Sequence, residues 1–325
     1  MCETSPRTPW KSGSFSARCR ARSLLKTNLR GWNRIAGLLL ALLWLAACGG
    51  SETPAGGALR VVATTNIIGD VVRNVGGDSI ALTVLMDVGV DPHSYVPTPA
   101  DSAALHDADL IFANGAGLEA NLEQTLDNAG GGAERIYLAD GLELLTLPGQ
   151  GEADPHVWFD VQNVIRWVDR IEQELSRRDP AQAEAYRRNA QAYRAELEEL
   201  DAWVQAQIDQ IPAENRKLVT NHPAFGYLAA RYGLEQVGTV YPVSPSAEPS
   251  AQDIAALEDA IRRYGVPAVF AESTVNPKLA EQVAQDTGVR VVPLYTGSLG
   301  GPGSGAETYI QMIRYDVTAI VDALK

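Results

Sequence analysis

Residues 179–212 read DPAQAEAYRRNAQAYRAELEELDAWVQAQIDQIP, and the reading of this stretch decides the architecture of the chain. Its start carries helix-initiating chemistry: Asp179 as an N-cap that accepts a free backbone N–H, Pro180 in the first turn where no N–H is needed, and Gln182 two residues later. Pro212, which has no N–H to donate, ends the helix after Ile211. Between them Tyr186, Ala190, Tyr193, Leu197, Leu200, Val204, Ile208 and Ile211 recur every three or four residues, so one apolar stripe runs the length of a single helix. At 1.5 Å per residue, 181–211 makes a rod of roughly 46 Å. A coiled-coil partner would cover such a stripe. Two halves packed along the same helix cover it without a second chain, and the flanking sequence supplies both.

Before the helix, short β-branched runs alternate with helical patterns. LRVVATT (59–65), IALTVLM (80–86), ADLIFANG (108–115) and RIYLAD (135–140) are strand candidates, with helical stretches at 67–75 and 99–106. After Pro212 the alternation restarts with RKLVTNH (216–222), EQVGTVYPV (235–243), PAVFAES (267–273) and VRVVPLY (289–295). Alternation of this kind builds βα units around a parallel sheet. The expected fold class is therefore α/β: two parallel-sheet lobes, 58–178 and 213–325, joined by one long rigid helix at 179–212. No residue-level repeat relates the two lobes.

The N-terminus is of another kind. Residues 1–34 carry eight basic side chains against the single acid Glu3, and the apolar run IAGLLLALLWLAA (35–47) follows at once. That run is too short to span a bilayer and the right length for a signal-peptide core. It ends in Leu45-Ala46-Ala47-Cys48, the pattern of a bacterial lipobox, so 1–47 is expected to be an export signal and Cys48 a lipidated N-terminus. Residues 48–57 then form the anchor and a small, polar tether. Cys2 and Cys19 leave with the signal, so no disulfide is expected and any metal site must be built from His, Asp and Glu. The whole chain is −13; without its +7 leader the remainder is about −20, which argues against nucleic acid and against polybasic contact with a membrane.

Four histidines occur in 325 residues, and two share one setting: Asp91-Pro92-His93 and Asp154-Pro155-His156. Proline fixes its own φ and holds the preceding Asp extended, while the Asp carboxylate can close a local turn or hold the second ring nitrogen. His93 follows the strand at 80–86, His222 follows RKLVT (216–220), and His156 stands just before a helix beginning near Val161. These are the loop positions, at the carboxyl ends of strands, where open α/β sheets bind ligands. Both Asp-Pro-His turns precede the linker helix, so they belong to one lobe and His222 to the other. His106 falls on the polar face near a helix end and is read as a solvated residue.

With these residues in view, DPHSYVPTPAD (91–101), ADLIFANGAGLE (108–119), DPHVWFD (154–160), TNHPAFGYLAARYGL (220–234), AEPSAQDIAAL (247–257), VFAES (269–273) and SLGGPGSGAETY (298–309) together resemble a known family. It is that of the metal-binding receptors of bacterial zinc and manganese ABC importers, the TroA-like or cluster A-I solute-binding lipoproteins. The resemblance runs from Leu59 to Lys325. It implies one metal ion buried in the cleft between the lobes, an ABC permease and its ATPase as partners, and a monomer lipid-anchored on the outer face of the cell membrane. It also implies that His93, His156 and His222 are ligands. The family's fourth ligand, an Asp in a Tyr-Thr-Asp-Ser-Leu-Gly segment, is here Gly297 of Tyr295-Thr296-Gly297-Ser298-Leu299-Gly300.

Three imidazoles suit Zn²⁺, whereas Mn²⁺ prefers an oxygen-rich octahedron. Zn²⁺ is therefore the expected cargo and Mn²⁺ the alternative; the lack of a His-rich stretch between Leu142 and Asp154, common in zinc-specific relatives, weighs for manganese. Either water or Glu272, at the end of VFAES, takes the fourth position, and Glu272 can instead orient His222. Three histidines with an open position also describe a hydrolytic zinc site. The chain has no HExxH or GxSxG, no general base besides Glu272, and no Walker lysine in its Gly-rich loops, so an enzyme is not expected.

Overall fold

The structure is a computed structural model and describes residues 57–128, 131–147, 151–241, 249–274 and 276–325. The signal, lipobox and tether assigned from sequence lie outside the described residues. Two four-stranded parallel sheets form the frame. The first contains β1 (Leu59–Thr65), β2 (Ile80–Met86), β3 (Leu110–Ala113) and β4 (Glu134–Tyr137) in the order β2-β1-β3-β4. The second contains β5 (Lys217–Thr220), β6 (Glu235–Thr239), β7 (Ala268–Glu272) and β8 (Arg290–Leu294) in the order β6-β5-β7-β8. The two orders are the same topology, so the repeat that is not visible residue by residue is present in the way each sheet is wound. The expected strands are found, several of them shorter by one to four residues at an end.

Among the described residues the helices are α1 (Asn66–Gly76), α2 (Pro99–Asp107), α3 (Ala120–Asn128), α4 (Val161–Arg178), α5 (Ala183–Ile208), α6 (Gly226–Tyr232), α7 (Ala251–Tyr264), α8 (Lys278–Thr287) and α9 (Tyr309–Leu324). The long helix is α5, with 26 residues and so a length of about 39 Å. It begins three residues later than its Asp-Pro signal suggests. Asp179 instead terminates α4, its backbone N–H bonding the Leu175 carbonyl, and residues 179–182 form a turn. The Asp-Pro pair thus makes a corner between two helices, which its extended Asp and fixed proline φ favour.

The stripe on α5 is wholly buried: Tyr186, Ala190, Tyr193, Leu197, Leu200, Val204 and Ile208 are all at most 4% exposed. Its cover comes from α4, α1 and α9 of the same chain. One hydrophobic cluster joins these helices to the inner faces of both sheets. Smaller clusters fill the outer faces, Val62, Leu105 and Leu122 on the first sheet and Val219, Leu257 and Val283 on the second. Because α5 contributes to a core shared by both lobes, Leu200→Ala, at a fully buried site, is expected to cost about 3 kcal/mol. Denaturant unfolding measures it; a loss below about 1 kcal/mol would mean the site collapses to fill the gap.

Candidate metal centre

The loops after β2 and β5 and the turn leading into α4 bring His93, His222 and His156 together. His156 and His222 are buried and His93 is half-buried, and one potential ligand atom from each lies within 4.8 Å of the others. His156 Nε2 is 3.1 Å from His93 Nε2 and 3.0 Å from His222 Nε2. His106 is exposed in the last turn of α2 and stands apart from this cluster.

The two Asp-Pro-His turns are built alike as far as the backbone. Asp91 Oδ1 accepts the N–H of His93 at 3.0 Å, and Asp154 Oδ1 accepts that of His156 at 3.0 Å. Their side chains then diverge. Asp154 Oδ1 also holds His156 Nδ1 at 2.7 Å, which aims Nε2 at the cluster. Asp91 turns its second oxygen to Ser94 Oγ at 2.9 Å, so of the two roles open to it in the sequence it takes the local turn. His222 has its own carboxylate, because Glu272 at the end of β7 lies beside β5 and accepts from both the backbone N–H and Nδ1 of His222. The other oxygen of Glu272 accepts from Thr296 Oγ1. Glu272 is thus placed behind His222, on the nitrogen that faces away from the cluster.

Electrostatics follow from these partners. Burial, and then the neighbouring rings of His156 and His222, pull the His93 pKa down to about 2. Burial likewise holds His156 below the ordinary histidine value, against the pull of Asp154. Burial alone would do the same to His222, but the Glu272 carboxylate outweighs it and the pKa is raised. Glu272 is correspondingly held below the usual carboxylate range by His222 and Thr296, although burial opposes this. Without a cation, His222 is therefore the ring of the three that most readily holds a proton. His156 Nδ1 donates to Asp154, leaving its Nε2 one lone pair for two neighbours at about 3 Å. A divalent ion takes all three lone pairs at once. Nitrogens bound to zinc at about 2.0–2.1 Å stand about 3.3 Å apart on a tetrahedron, so His156 is within tenths of an ångström of that spacing from each of the other two rings.

No motif in the linear chain marks the residues that tie these loops together. Asn66, at the start of α1, donates to the carbonyls of Met86 and Asp87 and to Ser298 Oγ, and its Oδ1 accepts the Leu299 N–H at 2.8 Å. This ties the root of the His93 loop to the segment after β8. Tyr227 Oη donates to the Asp154 carbonyl at 3.0 Å from α6, and Trp158 Nε1 donates to the Thr296 carbonyl at 3.1 Å. These are polar side chains in ordinary motifs, and only their partners across the fold give them a role.

Gly297 is a place where the absence of a side chain matters. A Cβ built there would lie 2.7 Å from Pro92 Cδ and 3.1 Å from Cγ. The proline of the first Asp-Pro-His turn therefore occupies the room that a side chain at 297 would need. Gly297→Ala is expected to push Pro92, and with it His93, off its aim and to weaken metal binding about 10-fold or more, the scale of lost ligand orientation. Competitive metal titration reads this; an unchanged affinity would mean the loop gives way freely.

Two wound sheets bridged by one helix, with a cluster of histidines from both, define a cleft-type metal-binding receptor. The chain belongs to the family described as ZnuA, zinc-uptake complex component A periplasmic, whose model matches residues 61–323. It is 35% identical to the manganese-binding lipoprotein MntA of Halalkalibacterium halodurans, over 88% of this chain and 96% of that one. It is 33% identical to the manganese ABC transporter substrate-binding lipoprotein PsaA of Streptococcus pneumoniae, with the same coverage. Among solved structures it resembles the periplasmic zinc binding protein TroA of Treponema pallidum, with a TM-score of 0.77 at 33% identity, covering 82% of this chain and 99% of the other. The Mn-bound periplasmic metal binding protein of Candidatus Liberibacter asiaticus gives a TM-score of 0.75 at 30% identity with the same coverage.

Proposed function

We propose that this chain is the extracytoplasmic receptor of an ABC importer, which captures Zn²⁺ between lobes 58–178 and 213–325 and delivers it to the membrane permease and its ATPase. The observation that carries the reading is the convergence of three imidazole nitrogens from two lobes, with two of the rings aimed by carboxylates. His93, His156 and His222 are the ligands in this reading, and Glu272 aims His222. The 179–212 segment keeps the lobes at a fixed spacing, so capture and release come from small tilts and loop shifts. Cys48 anchors a monomer to the membrane through its lipid.

Zinc is preferred because the cluster offers nitrogen and no carboxylate oxygen, which matches a tetrahedral nitrogen-binding ion better than one that seeks six oxygens. Manganese is the second reading, since MntA and PsaA carry it in their names. Competitive titration of the soluble domain from Ser51 onward with both ions separates them. Zinc is expected to displace manganese at equal concentration; the reverse order would change the cargo, and binding of neither would overturn the receptor reading.

A further inference from the structure

The stretch ADLIFANGAGLE (108–119) is among the motifs of the family resemblance, yet neither the three histidines nor the linker helix draws on its last six residues. They form the loop from β3 towards α3. Its last residue, Glu119, is a carboxylate only 1% exposed, and among the described residues no cation pairs with it. Its partners are donors. One oxygen, Oε1, accepts the Thr64 hydroxyl at 2.8 Å and the Asn114 N–H at 2.6 Å, and Oε2 accepts the Gly115 N–H at 3.0 Å. The carboxylate therefore closes the loop onto its own start and onto the end of β1. Between those anchors Gly115, Ala116 and Gly117 have φ of +80°, +52° and +85°. An alanine keeps that left-handed conformation only where its surroundings hold it.

Both ends of the loop reach a histidine turn. Asn114 Nδ2 donates to the Pro155 carbonyl at 2.9 Å, and the same oxygen accepts the Val157 N–H at 2.8 Å, which fixes the peptide leading into His156. At the other end the Glu119 carbonyl accepts the N–H groups of Leu122 and Glu123 and so opens α3. The second residue of α3, Asn121, donates from Nδ2 to the His93 carbonyl at 2.9 Å. One buried carboxylate thus stands between two asparagines, each holding the backbone of a different Asp-Pro-His turn.

We infer that Glu119 is a positioning residue for metal binding: by pinning the 114–121 loop it sets, through Asn114 and Asn121, the spacing of the His156 and His93 turns. The inference rests on the receptor reading above and deepens it, since it concerns how the N-terminal lobe aims its two histidines and leaves the atoms that touch the ion as they are. Both oxygens of Glu119 must accept. Glu119→Gln keeps the shape of the side chain, but its NH₂ group faces an N–H and leaves a buried donor without a partner. The loop then loosens at one anchor, and both turns lose their hold.

Competitive zinc titration, the visible absorption of bound Co²⁺ and the melting temperature of the metal-free protein test this on the soluble domain. Glu119→Gln and Asn114→Ala are each expected to bind zinc about 10-fold or more weakly, the scale of lost ligand orientation, with an altered Co²⁺ absorption that reports displaced donors. Combined, they should fall well short of the product of the two losses, because they act along one chain of bonds. Asn114→Ala removes a side chain that bonds only two carbonyls, so it decides the matter alone where Glu119→Gln does not fold. A lowered melting temperature with unchanged zinc affinity and an unchanged Co²⁺ spectrum would make the loop a matter of stability and overturn the inference, with the receptor reading intact. Losses that multiply in full would overturn it as well, since Glu119 would not then act through Asn114. A wild-type protein that binds neither Co²⁺ nor Zn²⁺ removes the receptor reading and the inference together.

Discussion

Replacing His222 by alanine is expected to weaken zinc binding by roughly 100- to 1,000-fold. Zinc held by four donors gains about 10–16 kcal/mol, or about 2.5–4 kcal/mol per ligand, and 1.4 kcal/mol is a factor of ten. His222 carries a second cost that His93 does not. Glu272 is 3% exposed and has the His222 imidazole as its ring partner, so the alanine variant buries a carboxylate without that partner. Breaking a buried pair on one side costs about 3–5 kcal/mol. The metal-free His222→Ala protein is therefore expected to be markedly less stable as well, whereas His93→Ala should lose affinity with little change in metal-free stability, because no carboxylate depends on the His93 ring. Adding Glu272→Gln to His222→Ala should recover stability and leave the affinity low. Titration calorimetry and denaturant unfolding on the same samples read the two effects separately. Affinity within threefold of wild type in His222→Ala would take that residue out of the site.

Acid is expected to release the metal with the slope of a single proton. The His222 pKa is raised above the ordinary value of 6.5 by Glu272, while that of His93 is pulled down to about 2 and that of His156 is lowered. Only His222 therefore carries a proton that metal must displace in mildly acid solution. The sign follows: above the His222 pKa no proton competes and affinity is flat, and below it affinity falls about tenfold per pH unit. Just below that pKa the loss should therefore approach tenfold per pH unit, with one proton released per ion bound. Three unperturbed histidines would instead give a slope approaching three and a loss several orders steeper. Proton release measured in buffers of different ionisation enthalpy decides between one and three, and a count near three would mean the rings are not held neutral as their burial requires.

Much of the molecule was legible in the linear chain because its signals are local. The strand runs 59–65 and 80–86 match β1 and β2 end to end, since each is a β-branched segment between turn residues. The stripe on the long helix is buried at every predicted position within α5. The three histidines stood out because each follows a strand or precedes a helix in a motif with restricted backbone. The start of α5 was misplaced because an N-cap and a corner between two helices use the same Asp-Pro chemistry, and only the neighbouring α4 distinguishes them.

The amino-acid sequence by itself determined which elements form and that they fall into two α/β halves about one helix. These follow from periodicity, proline and glycine, and they act over a few residues at a time. The tertiary structure alone decided the chemistry of the site: Glu272 behind His222, Asp154 behind His156 but Asp91 turned away from His93, and Pro92 against Gly297. Those contacts join residues as far as 205 positions apart, and a pKa or a coordination shell depends on distance in space, which spacing along the chain does not record.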